Sequence, residues 1–123
     1  MAEGFARHLV GDRCAVASAG IEPATLNPRA VAAMHEVGID ISAQTSKGID
    51  AALLRRADVI VTLCGDANDR CPRVPEARRR LHWDVSDPAR ASGTAEEQRA
   101  VFRTVRDDIR RRVAALVADE YDR

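Results

Sequence analysis

The chain has 123 residues, 46% of them hydrophobic and 31% charged, and its 19 basic and 19 acidic side chains leave no formal net charge. That length suits one domain with a core of its own and the composition of an ordinary globular protein. Charge balance speaks against general nucleic-acid or membrane-surface binding, 3% aromatics leave little to stack on bases, and no apolar run approaches the roughly 20 residues of a membrane span. No secretory leader opens the chain, and three cysteines without disulfide-framework spacing point to the cytoplasm, where thiols stay reduced and functional ones are catalytic or redox-active. The arginine runs at 78–80 and 110–112 read as solvated helix faces.

In chain order, Ala2, Phe5, Ala6 and Leu9 stripe an opening helix that Gly11 stops. Ala15 to Ala19 reads as a buried strand with Cys14 at its start as a small buried hydrophobe. Asn27 and Pro28 form a cap and first-turn proline for a helix striped by Val31, Met34 and Val37, or by Ala30, Ala33 and Val37, and closed by Gly38. Ile39 and Ile41 pack the return, and Asp50 can cap a short helix from Ala51 to Arg56. Val59 to Leu63 is a β-branched apolar run between polar flanks, which favours a strand covered on both faces. Leu81 to Val85 is a further short strand ending at Ser86-Asp87-Pro88. Thr94 and Glu97 form a capping-box pattern, after which Val101, Phe102, Val105, Ile109, Val113, Leu116 and Val117 stripe a long helix whose Arg103, Arg106, Asp107, Arg110 and Arg111 face solvent. This alternation predicts an α/β domain, a three-layer sandwich with a parallel sheet flanked by helices.

Chemistry concentrates where the strand predicted over Val59 to Leu63 ends. Cys64 follows it directly, at the edge where open α/β sheets gather ligands, and Gly65 and Asp66 then signal a helix start, whose unpaired N–H groups stabilise a thiolate. Cys64 is thus a candidate nucleophile. Cys71 lies seven positions on, before Pro72. Seven helical residues rise roughly 10 Å, whereas a disulfide needs its Cα atoms within about 7 Å, so joining the two requires the intervening helix to unwind. Only Ala67 in that stretch is apolar, so little packing opposes unwinding. A redox couple tied to an order change and two unrelated free cysteines both stay open on spacing alone. Asp87, held extended before a proline, either presents its carboxyl to the same edge to protonate a leaving oxygen or makes a turn. His8, His35 and His82 are scattered away from the cysteines, so no metal site is assigned.

The chain resembles the thioredoxin-coupled arsenate reductases built on the low-molecular-weight tyrosine phosphatase fold. The matching segments are Met-Ala-Glu-Gly at 1–4, Ser-Ala-Gly-Ile-Glu at 18–22, Asn-Pro at 27–28, Gly-Ile-Asp-Ile-Ser at 38–42, Thr-Ser at 45–46, Val-Thr-Leu-Cys at 61–64, Cys-Pro at 71–72, His-Trp at 82–83 and Asp-Pro at 87–88. The resemblance implies that a cysteine in a phosphate-type loop attacks arsenate, that Cys64 attacks that cysteine to release arsenite, and that Cys71 takes over the disulfide as the helix between them unwinds. It also implies that Asp87 protonates the leaving oxygen, and that thioredoxin is the reductant, with no organic cofactor bound.

The family's first strand and C-x5-R-S loop fall before Met1, so the reading expects an N-terminally truncated domain, residues 1–123, with impaired or absent activity. Loss of a central strand leaves unpaired sheet edges, from which a homodimer or strand exchange is expected. Lys47 stands where some family members carry a carboxylate that helps bind potassium, so Glu3 and Ser18, the other matched positions, are expected to hold none. Two alternatives remain: a non-catalytic thiol module that binds trivalent arsenic or exchanges disulfides with thioredoxin, and, ranked lower, a phosphatase on the same fold, for which Cys71 is superfluous.

Overall fold

The computed structural model describes residues 1–18, 27–44, 48, 51–63, 79–85, 88 and 91–121. Its elements are α1 (Ala2–Val10) with a 3-10 turn at Gly11–Arg13, α2 (Pro28–His35), α3 (Ala51–Arg56), β1 (Val59–Thr62), β2 (Arg79–His82) and α4 (Ala95–Tyr121). Helices and a parallel strand pair make this an α/β chain, as its alternating pattern predicts. No helix among the described residues is long and apolar enough to cross a membrane.

The chain divides into two compact units. The first comprises Met1–Ser18, Leu26–Thr45 and Asp87–Arg123 and is helical, with α1 and α2 each packed on α4. Its buried core is Phe5, Val10, Ala33, Met34, Ile39, Ile41, Phe102, Val105, Ile109 and Val113. The apolar spacing of α4 predicts its contribution well, because a 3.6-residue period puts Phe102, Val105, Ile109 and Val113 on one side. The expected capping box forms: the Glu97 amide donates to Thr94 Oγ1 at 3.1 Å, and the Thr94 amide donates to Glu97 Oε1 at 3.4 Å. At α2 the Asn27 side chain accepts from the Arg29 amide at 2.8 Å, and Pro28 occupies the first turn. Gly38 at φ 80 takes the left-handed conformation that turns the chain from α2 toward buried Ile39 and Ile41.

Three expectations are corrected in this unit. Residues 15–18 form no strand and are exposed apart from half-buried Val16. The segment is pinned instead by side chains, with Arg7 Nη2 donating to the Val16 carbonyl at 2.7 Å. Cys14 is accordingly exposed rather than buried, its thiol donating to the Ala15 carbonyl at 3.3 Å. Arg106 does not face solvent but is buried, donating from Nη1 to the Ala33 carbonyl at 3.0 Å and to Glu36 Oε1 at 2.8 Å. A long guanidinium stem covers apolar surface while its head finds acceptors, so an arginine in an apolar neighbourhood need not be expelled.

The second unit comprises Ala19–Thr25 and Ser46–Ser86 and holds α3, β1 and β2. The strands are parallel, with Val59 opposite Arg79, Ile60 opposite Arg80, Val61 opposite Leu81 and Thr62 opposite His82. β2 therefore starts two residues before the apolar run that predicts it. In β1 Ile60 and Thr62 are buried while Val59 and Val61 are half-buried, so one face is covered more completely than the other.

Candidate functional site

The predicted catalytic residues Cys64, Cys71 and Asp87 lie outside the described residues, and so does Lys47. The strand that leads to Cys64 is described up to Leu63, and its carboxyl end is well fixed. The Trp83 amide donates to the Thr62 carbonyl at 2.8 Å and the Val85 amide to the Leu63 carbonyl at 3.4 Å, so the backbone ladder outlasts the last register partners. Across those partners, Thr62 Oγ1 and His82 Nδ1 share a hydrogen bond of 2.7 Å. Thr62 is buried and His82 exposed, which places the bond at the rim of the strand pair. His-Trp at 82–83 is among the segments that carry the resemblance, but the pairing with Thr62 depends on strand register, which no local sequence signal supplies.

A second cluster assembles residues from the start of the chain. Glu3 is buried in the first turn of α1, and both its carboxylate oxygens are engaged: Ser18 Oγ donates to Oε1 at 2.6 Å, and Arg7 Nε lies 3.2 Å from Oε2. Because the Arg7 guanidinium also reaches the Val16 carbonyl, it ties α1 to the 15–18 segment and neutralises the buried carboxylate. Glu3 and Ser18, matched by the resemblance, are thus brought together. Arg7, one turn along the helix, is the partner that sequence reasoning passed over; the i,i+4 spacing of Glu3 and Arg7 was the available signal. Next to Glu3, Gly4 lets α1 approach the core closely, since a Cβ there would lie 2.7 Å from Ile41 Cγ2 and 3.1 Å from Met34 Cε.

The strongest electrostatic feature lies between α2 and α4. Arg103 grips the Glu36 carboxylate with Nε at 2.9 Å from Oε1 and Nη2 at 2.7 Å from Oε2, and Arg106 adds a third contact. These charge-assisted bonds, Arg103 foremost, lower the Glu36 carboxyl to about 2 and raise Arg103 above its ordinary value. The role of this cluster is structural: it fastens the end of α2 to α4. Among the described residues, no group of three or more His, Cys, Asp or Glu could hold a metal ion.

Comparison with known proteins adds the context. Residues 1–121 match the family profile described as low molecular weight phosphotyrosine protein phosphatase. The chain is 58% identical to the arsenate reductase of Bacillus subtilis and 56% identical to that of Halalkalibacterium halodurans, in each case over 92% of this chain and 81% of the relative. Among solved structures, an arsenate reductase in the reduced state superposes with a TM-score of 0.78 at 39% identity, covering 96% of this chain and 86% of that one. An arsenate reductase in a phosphate binding state gives a TM-score of 0.77 at 38% identity, with the same coverage.

Proposed function

Because the chain belongs to the low molecular weight phosphotyrosine protein phosphatase family, we propose that it is an arsenate reductase working through a cysteine relay. What carries this reading is the 58% identity to an arsenate reductase across 92% of the chain, in a sequence that keeps Cys64 and Cys71 in Val-Thr-Leu-Cys and Cys-Pro. In the proposed reaction a first cysteine thiolate bonds to the arsenic of arsenate, and Asp87 protonates the oxygen that leaves as water. The Cys64 thiolate attacks the sulfur of that first cysteine. The sulfur–arsenic bond breaks, its electron pair passes to arsenic, and arsenite departs as a disulfide forms. Cys71 then attacks the Cys64 sulfur, expelling the first cysteine as thiolate and leaving a Cys64–Cys71 disulfide. Two electrons from the thioredoxin dithiol reopen it. No organic cofactor takes part, and the reaction runs in the reducing cytoplasm.

Cys64 and Cys71 are the second and third cysteines of this scheme. The engaged Glu3 carboxylate supports a site that needs no potassium ion, since Ser18 bonds one oxygen and the Arg7 cation lies 3.2 Å from the other.

The deciding experiment is arsenate-dependent NADPH consumption with thioredoxin and thioredoxin reductase, run beside Cys64→Ser, together with peptide mass mapping after oxidation. Oxidation is expected to form a Cys64–Cys71 disulfide that thioredoxin reverses. Turnover abolished by Cys64→Ser would show that another thiol supplies the first step. Absence of the disulfide would overturn both the relay and the reading of the chain as a thioredoxin-exchanging thiol module, and would leave the phosphatase.

A further inference from the structure

We infer that Thr62 and His82 are positioning residues that anchor the Cys64 end of the relay, a role that rests on the function proposed above. The relay makes an unusual mechanical demand. The Cys64–Cys71 disulfide of that reading requires the two Cα atoms within about 7 Å, so one sulfur has to be delivered to the other. If both ends moved freely, the effective concentration of one thiol at the other would fall. One end has to stay fixed.

The structure supplies the fixture on the β1 side. β1 has four residues, and Ile60 is its one buried apolar side chain, so apolar packing does little to hold the strand's end. Polar bonds concentrate there instead. The last register partners are joined by the 2.7 Å bond between Thr62 Oγ1 and His82 Nδ1, and the Trp83 and Val85 amides grip the carbonyls of Thr62 and Leu63. Leu63 immediately precedes Cys64 in the sequence. Thr62 is buried, so water has restricted access to replace His82 in this bond. The side-chain bond therefore holds the strand end from which the chain continues to Cys64.

The test measures the Cys64–Cys71 redox equilibrium in the full chain carrying Cys14→Ser. Glutathione disulfide is the oxidant: the two thiols give up two electrons and two protons, one intramolecular disulfide forms, and two glutathione thiols are released. Thr62→Val and His82→Ala are expected to reduce the equilibrium constant for disulfide formation by about 3–10-fold, because the anchored thiol loses effective concentration. Thr62→Ser and His82→Asn, which retain a hydrogen-bonding group at each position, are expected to restore it to within about twofold of the parent. A lowered melting temperature with an unchanged equilibrium constant would reduce the bond to a structural role and overturn the inference, as would failure of the conservative variants to restore the parent value. His82 is exposed, so its variants decide the matter if Thr62→Val does not fold. Failure of the parent itself to form the disulfide would instead overturn the proposed function, and the inference with it, before any variant is compared.

Discussion

Glu36 and Arg103 meet in a two-pronged ion pair, with Nε and Nη2 of the guanidinium 2.9 and 2.7 Å from the two carboxylate oxygens, 67 residues apart in the sequence. The carboxylate also receives Arg106, which simultaneously caps the Ala33 carbonyl near the end of α2. A single acidic side chain thus organises two arginines at the α2 and α4 junction.

Acid should release that junction. The folded Glu36 carboxyl is lowered to about 2 from an ordinary value of 4.5, so its contribution to stability is complete above pH 4.5 and is lost as pH falls toward 2. Urea midpoints of the parent and Glu36→Gln, compared from pH 7 down to pH 2, should differ most at neutral pH and converge across the acidic part of that range. A difference that stays constant with pH would mean the charge is not what fastens the helices.

Gly4→Ala tests how tightly α1 is seated. The added methyl would fall 2.7 Å from Ile41 Cγ2 and 3.1 Å from Met34 Cε, and both of those side chains are fully buried with no solvent to yield into. Overpacking of this kind costs about 1–3 kcal/mol, against which helix propensity returns at most about 1 kcal/mol. The expected result is a lower thermal midpoint by calorimetry, and an unchanged or raised midpoint would contradict the close approach.

Replacing KCl by NaCl at equal ionic strength should leave the thermal midpoint unchanged, because Arg7 already supplies the positive charge beside Glu3. Arg7→Met should destabilise the chain by about 1 kcal/mol through loss of the ion pair and of the bond to Val16. Specific stabilisation of the parent by potassium would reverse this assignment.

Removing the cap of α4 with Thr94→Ala should cost about 1 kcal/mol, and Glu97→Ala less, since the return bond is longer at 3.4 Å. Two-state urea titrations of both variants check the order.

These features differ in how far local sequence announces them. Thr94 with Glu97, Asn27 with Pro28, and the period of Phe102, Val105, Ile109 and Val113 are local signals, and the elements they mark appear where expected. The strand predicted over Val59 to Leu63 is found over Val59–Thr62. Burial of Glu3 and Arg106 was not, since each depends on a partner contributed by another part of the chain. Arg79 and Arg80 look like surface residues, yet they open β2, because register against β1 outweighs their weak strand preference. The Thr62 to His82 bond spans 20 residues and follows from that register alone.

The packing of α1 on α4 also sets an order of events during synthesis. Phe5 and Val10 emerge first, but the core that covers them is completed by Phe102, Val105, Ile109 and Val113, which emerge last. The unit holding β1 and β2 is encoded almost wholly between these ends, with its longer stretch at Ser46–Ser86. Met34 and Ile41 can cover part of the opening helix early, but the rest of its apolar face stays uncovered until α4 has been made. Such long-range closure is slow and leaves hydrophobic surface exposed meanwhile.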